Sequence, residues 1–222
     1  AKPFSDRTGS GGHVHYHLAD ATTGENVLMD ESDPQGLGLS EMGYHFIGGV
    51  LKHAPALCAI NSPTINCYKR LQVGQGLYSS RSGFTWTPAF ITFGDNNRTQ
   101  MIRTAGPGHL EDRTISAANN PYLVFAAYVT AGLDGIKNKI DPGEAMDKNL
   151  YDLPPAELEN VPTVCGSLRE ALTALSEDYE FLLAGDVFTK SQIEGYMDLK
   201  WEEIYAYEHT PHPMEFKLYY SC

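Results

Sequence analysis

A chain of 222 residues with 28 acidic against 16 basic side chains, a formal charge of −12, lacks the clustered Lys and Arg needed to hold a nucleic-acid backbone or an anionic membrane surface. Its composition, 42% hydrophobic and 20% charged, is that of a globular protein long enough to bury a sizeable core, and its acidity reads as a solvated surface. The four cysteines, Cys58, Cys67, Cys165 and Cys222, are scattered without a CxxC pair, which predicts a reduced, cytoplasmic protein rather than a disulfide scaffold or zinc site. No apolar run approaches the length of a membrane span, and none reads as a signal peptide.

In chain order, His13-Val14-His15-Tyr16-His17-Leu18 alternates polar and apolar and predicts a strand with three histidines on one face. Ser40 caps a predicted helix running to about Asn61, with Met42, Phe46, Val50 and Leu51 at helical spacing and Pro55 as the point of kinking or division. NSPTINCYKRL reads as a loop leading to the basic pair Lys69-Arg70. The stretch 73–95 has no helical period and reads as loop and short strand, and 97–104 and 109–115 read as strands. Asn120-Pro121 is an N-cap followed by Pro at the first helical position, opening a helix towards Gly135. A Pro/Gly-containing loop covers 141–155. Ser167 to Glu170 and Thr189 to Gln192 are capping boxes. The first opens a helix to about Leu175, and the second a helix with Ile193, Tyr196, Met197, Trp201, Ile204 and Tyr205 on one face. Without repeats, low-complexity segments or a linker, the pattern predicts one α+β domain.

Four constellations carry candidate chemistry. On a strand, His13, His15 and His17 project together, each about 7 Å from the next. That spacing suits a metal ligand beside a nucleotide contact, and equally a polar, half-exposed strand face. Gly9, Gly11 and Gly12 just before them allow backbone to approach a ligand. His109, Glu111 and Arg113 share one face of the later strand, where Glu111 is either a metal ligand beside an arginine clamp or half of a structural ion pair. Arg98 and Arg103 are five apart, so they reach one site only if a bulge intervenes or the strand ends between them. Tyr68-Lys69-Arg70 is the fourth. Together these elements fit phosphoryl transfer, in which positioning and charge neutralisation do most of the catalysis. They also supply too few carboxylates for a magnesium ion, which predicts further ligands from outside the chain.

GSGGHVH (Gly9 to His15), NPYLVFAAYVTAGLDGIKNKIDPGEAMDKNLYDLP (Asn120 to Pro154) and HTPHPMEFKLYY (His209 to Tyr220) resemble the catalytic domain of the glutamine synthetases. The resemblance extends over essentially the whole chain. It implies a curved antiparallel sheet with flanking helices, and an ATP-dependent ligase using Mg2+ or Mn2+ that joins glutamate to ammonia through a γ-glutamyl phosphate. A related ligase taking an alkylamine is the alternative, and a non-catalytic relative a further one. The resemblance also implies a homo-oligomeric ring with the site at a subunit boundary. The chain opens on AKPFSDRTGSGG, inside what looks like an active-site loop, which predicts a partial catalytic domain whose N-terminal domain and some metal-ligand strands are absent, with little activity alone.

Carried over by motif, the resemblance makes His13 and Glu111 metal ligands and His15 and His17 nucleotide contacts. Gly9 meets the α-amino side of glutamate. Arg70 and Arg113 hold glutamate and the acyl phosphate, and Arg98 and Arg103 meet ATP phosphates. Arg98 and Arg113 carry the catalytic role, and Tyr151 falls where some bacterial members are adenylylated. The departures are specific. Thr8 stands where the pattern has Asn, Gly12 where it has Met, and His109 where it has Arg. The Arg103–Glu111 interval is short and lacks a lysine. After Tyr68-Lys69-Arg70-Leu71 the family motif PGYE is replaced by QVGQG (72–76), and no acid follows until Asp95. A site without that carboxylate attracts ammonium less, whereas Tyr78, Phe84 and Trp86 offer aromatic faces to a larger amine.

Overall fold

The computed structural model describes residues 1–71, 87–150 and 153–221. Four short strands form the sheet: β1 (Val14–Tyr16), β2 (Phe93–Asp95), β3 (Ile102–Gly106) and β4 (His109–Asp112), in the order β1-β4-β3-β2. The β1–β4 and β3–β4 pairs are antiparallel and the β2–β3 pair is parallel. Period two decides what each strand contributes. Ile102 and Leu110 go into the core, whereas His15 sits opposite Glu111 and Glu111 opposite Arg103. The expected strand over 97–104 is shortened at its start. Asn97 Oδ1 accepts from the Thr99 amide at 3.0 Å and from its hydroxyl at 2.7 Å, a local Asx turn that competes with extension, so the strand begins at Ile102. Arg98 therefore lies in a turn and Arg103 on the strand.

Helices cover the sheet. Ser40 caps α1 (Glu41–Lys52) through a bond from the Gly43 amide. The helical run to Asn61 is divided near Pro55, as expected: α2 (Ala54–Asn61) restarts after His53 with Pro55 in its first turn, where the missing amide costs nothing. The expected loop before Lys69-Arg70 is largely a helix, α3 (Ile65–Leu71). Asn120 caps α4 (Pro121–Asn138), which passes Gly135 and ends on Lys139 in the left-handed region. A four-residue helix, α5 (Pro155–Leu158), leads to α6 (Leu168–Glu177). Its capping box is half made: Ser167 accepts from the Glu170 amide, but the Glu170 carboxylate takes the Gly166 amide instead of closing on Ser167. The Thr189 box is complete and opens α7 (Lys190–Glu208), and α8 (Pro213–Tyr219) follows.

The core lies where α1, α2 and α4 meet the sheet, with Phe46, Ile47, Leu57, Phe90, Phe93, Met101 and Leu110 fully buried. α1 crosses α4 through glycine: a side chain on Gly135 would enter the His45 carbonyl and the Gly49 backbone, and one on Gly49 would enter Ala131 and Gly135. His53, 2% exposed, closes the far side. Its Nδ1 lies 2.7 Å from Asp178 and its Nε2 3.0 Å from Asp134, and its ring stacks on Phe181.

Candidate active site

The site gathers on Glu111, which β4 carries between its two neighbours. Arg103, directly opposite on β3, donates from Nε to Glu111 Oε2, and Arg113 Nη1 donates to Oε1 at 2.9 Å. His13 Nδ1 and His15 Nε2 each lie 3.3 Å from the same Oε1. With only 3% of its side chain exposed, Glu111 would be pushed up by burial. The hydrogen bond from Arg103 and the charges of Arg113 and Arg103 outweigh that and hold the carboxyl below its ordinary value. Burial, and then the Arg113 charge, lower the His13 pKa, which favours the neutral imidazole that a metal ion requires.

The three histidines alternate with less exposed neighbours, but the expected strand over 13–18 is only β1, so His15 lies on it and His13 and His17 flank its ends. His15 Nδ1 lies 2.9 Å from His109 Nε2, so the histidine standing where the family pattern has arginine meets the middle histidine of the row. Burial and then the His15 charge lower the His109 pKa, and His17 adds to this from the same side. Arg103 also donates to Asn96 Oδ1 at 2.6 Å. Asn96, in a left-handed turn conformation, was not singled out by the sequence; its signal is the Asp95-Asn96-Asn97 turn between two extended segments.

A second layer holds the segment that follows β4. Arg70, 2% exposed, donates from Nη1 to the carbonyls of Thr114 and Ile115 at 2.9 and 3.0 Å and from Nη2 to that of Arg113 at 3.1 Å. Burial brings its pKa down to about 10. The guanidinium lies so close to the glycine turn that a Cβ on Gly11 would stand 2.5 Å from Nη2, and one on Gly9 would stand 3.2 Å from Arg70 Cγ and 2.6 Å from the Ala1 carbonyl. The glycines of GSGG thus admit Arg70 as well as leaving backbone open. Asp112, fully buried on the opposite face of β4, accepts from the Thr114 amide and hydroxyl, each at 2.7 Å, and from the Tyr128 hydroxyl. Burial raises its pKa, against those bonds. Sequence reasoning passed over Asp112; the signal was an acid at a core-facing strand position.

Of the residues singled out from the sequence, His13, His15, Arg103, Glu111 and Arg113 converge, with Arg70 and Gly9 behind them and His17 at the edge. Arg98 is exposed, and its carbonyl accepts from Arg113 Nε at 3.3 Å. Tyr151, the 72–76 segment, Tyr78, Phe84 and Trp86 lie outside the described residues. For a divalent ion, His13 Nδ1 and Glu111 Oε1 are 3.3 Å apart, close to the roughly 3 Å between neighbouring ligands on an octahedral ion with bonds near 2.1 Å. Among the described residues no group of three or more His, Cys, Asp or Glu side chains is arranged to hold a metal, so the pair fits part of a coordination sphere. No helix of the described residues is long and apolar enough to cross a membrane.

This α+β fold, with a carboxylate held between two arginines and a row of histidines, is that of an ATP-dependent ligase family. The description "Glutamine synthetase, catalytic domain" matches residues 1–219, and the chain belongs to that family. A glutamine synthetase of Cereibacter sphaeroides is 50% identical over 226 residues, covering 100% of this chain and 45% of the relative. The glutamine synthetase of Escherichia coli (strain K12) is 47% identical, covering 99% and 45%. The chain thus spans about half the length of the curated relatives it matches. A solved structure described as a GmaS/ADP complex superposes with a TM-score of 0.85 at 34% identity, covering 100% of this chain and 48% of that one.

Proposed function

We propose that this domain serves an ATP-dependent glutamate–ammonia ligase working through γ-glutamyl phosphate. The observation that carries the reading is the clustering of His13, His15, Arg103 and Arg113 around the Glu111 carboxylate in a chain of this family. His13 and Glu111 would hold a divalent ion, Mg2+ or Mn2+, which would supply neutralisation of phosphate charge, with further ligands from outside the described residues. His15 and His17 contact the nucleotide, and Arg98 and Arg103 meet its phosphates. Gly9 and Arg70 bind glutamate. Its γ-carboxylate oxygen attacks the terminal phosphorus, ADP leaves, and Arg113 steadies the charge spread over the phosphoryl oxygens. The amine nitrogen then attacks the acyl carbon, phosphate departs with the carbon–oxygen bond electrons, and the nitrogen loses a proton. Tyr151 is proposed as a modification site, and the full-length protein as a homo-oligomeric ring.

A second reading, a γ-glutamyl amide ligase for an alkylamine, is favoured by the absence of any acid between Arg70 and Asp95 and by the likeness to the structure titled GmaS. Phosphate release by the full-length protein, measured with glutamate and ATP across ammonia, methylamine and ethylamine, tests both. A preference for ammonia supports the first, a preference for an alkylamine replaces it with the second, and no turnover with any amine removes both.

A further inference from the structure

Two of the cysteines, far apart in sequence, are brought to one place where the segment before α6 packs on α2. Cys58 lies in α2 with its side chain buried, and Cys165 precedes α6 and is partly exposed. Each thiol is the largest influence on the other's titration. The Cys165 sulfur also stands 3.5 Å from the carbonyl of Pro55, one turn before Cys58 on the same helix. Neither side is free to drift. The Val164 amide donates to the Ala89 carbonyl at 2.8 Å, Phe90 bridges Thr163, and Ser167 caps α6 two residues on. On the other side, the Cys58 carbonyl accepts from the Tyr68 hydroxyl at 3.0 Å. Cys67 is a contrast: its sulfur is engaged by the hydroxyls of Thr64 and Ser116.

We propose that Cys58 and Cys165 form a dithiol site that hydrogen peroxide oxidises to an intramolecular disulfide, with Cys165 the sulfur that reacts first. Access and charge both select Cys165. It is the more exposed of the two, and the neighbouring Cys58 thiol holds its own thiol below the ordinary value, whereas the same pairing and burial push Cys58 up. The Cys165 sulfur attacks one peroxide oxygen, the O–O bond breaks and water leaves, giving a sulfenic acid; sulfur is oxidised by two electrons and peroxide reduced. The Cys58 sulfur then attacks that of Cys165. The S–S bond forms, the S–O bond breaks, and the departing oxygen takes the Cys58 proton and leaves as a second water. The product ties α2 to the segment before α6.

The test uses the full-length protein, treated with graded hydrogen peroxide, alkylated without reduction, digested and mapped by mass spectrometry. The expected product is a peptide pair joining Cys58 to Cys165, lighter by two hydrogens than its reduced parts and lost on reduction. Cys58→Ser abolishes the link and lets dimedone trap Cys165 as the sulfenic acid, at least about tenfold more than in the wild type, because the resolving thiol is gone. Cys165→Ser, at the partly exposed position, leaves Cys58 unoxidised by the same dose. The proposal is overturned if Cys165 stays a thiol at doses that oxidise the denatured chain. It is equally overturned if Cys165 is oxidised without linking to Cys58, or links to another cysteine.

Discussion

Arg103 and Glu111 stand directly opposite one another on neighbouring antiparallel strands, and the guanidinium of the first is hydrogen-bonded to the carboxylate of the second. Arg113, two residues further along, takes the other carboxylate oxygen. With Glu111 3% exposed and the arginines 12% and 10%, solvent screens these pairs little. Removing the shared negative charge leaves two mostly buried guanidinium groups facing a neutral group. Glu111→Gln should therefore cost about 3 kcal/mol of stability and, in the full-length protein, at least about a hundredfold in phosphate release. Urea midpoints and the phosphate assay check the two separately. Activity within about twofold of the wild type would remove Glu111 from the proposed metal site.

His53 joins Asp134 on α4 to Asp178 beyond α6 while stacking on Phe181. Burial alone would raise the Asp134 pKa; the hydrogen bonds from His53 and Lys52 outweigh it and hold the carboxyl below its ordinary value. A depressed folded-state pKa contributes stability above the unfolded value, near 3.8, and that contribution is lost as pH falls through the folded value. His53→Ala is expected to cost about 2–3 kcal/mol at neutral pH, from two bonds to carboxylates and a buried ring. The gap between variant and wild type should narrow below about pH 4. Denaturation midpoints across pH 3–7 measure this, and a gap that stays constant would deny Asp134 its part.

Helix starts were legible because each is a local event: Ser40, Asn120 and Thr189 accept amides only two or three residues away. The alternating histidines were legible for the same reason, since period two needs no distant partner. The division of the first helix was legible from Pro55, but the helical state of 65–71 and the partners of His53 were not; the His53 bonds span 81 and 125 residues. The site was legible as a set of residue types and illegible as a geometry. Nothing in the spacing placed Arg70 beneath the glycine turn, or the Tyr128 hydroxyl on Asp112, because both contacts join segments that only the folded sheet brings together.

The crossing of α1 and α4 gives a case where propensity and packing oppose each other. Replacing Gly135 by Ala within a helix gains about 1 kcal/mol of propensity. The added methyl, however, would stand 2.5 Å from the Gly49 nitrogen and 2.7 Å from its Cα, against backbone rather than a movable side chain. Overpacking of that kind costs typically 1–3 kcal/mol and more where backbone must shift. Gly135→Ala is thus expected to destabilise by about 2 kcal/mol net. An unchanged or raised urea midpoint would mean that the two helices can separate freely.

Arg70 separates a structural role from a substrate role. Its three bonds reach the carbonyls of Arg113, Thr114 and Ile115, and its pKa, brought down by burial to about 10, leaves it charged at neutral pH beside buried Asp112. Lysine keeps a charge but not the planar fork, and cannot serve three carbonyls in that arrangement. Arg70→Lys should lose about 2–3 kcal/mol, because at least one buried carbonyl is left without a donor. If Arg70 also binds glutamate, KM for glutamate should rise at least about tenfold while KM for ATP stays within about twofold, a loss of about 1.4 kcal/mol confined to one substrate. A loss of stability with both KM values unchanged would make Arg70 a support for the segment after β4 and nothing more.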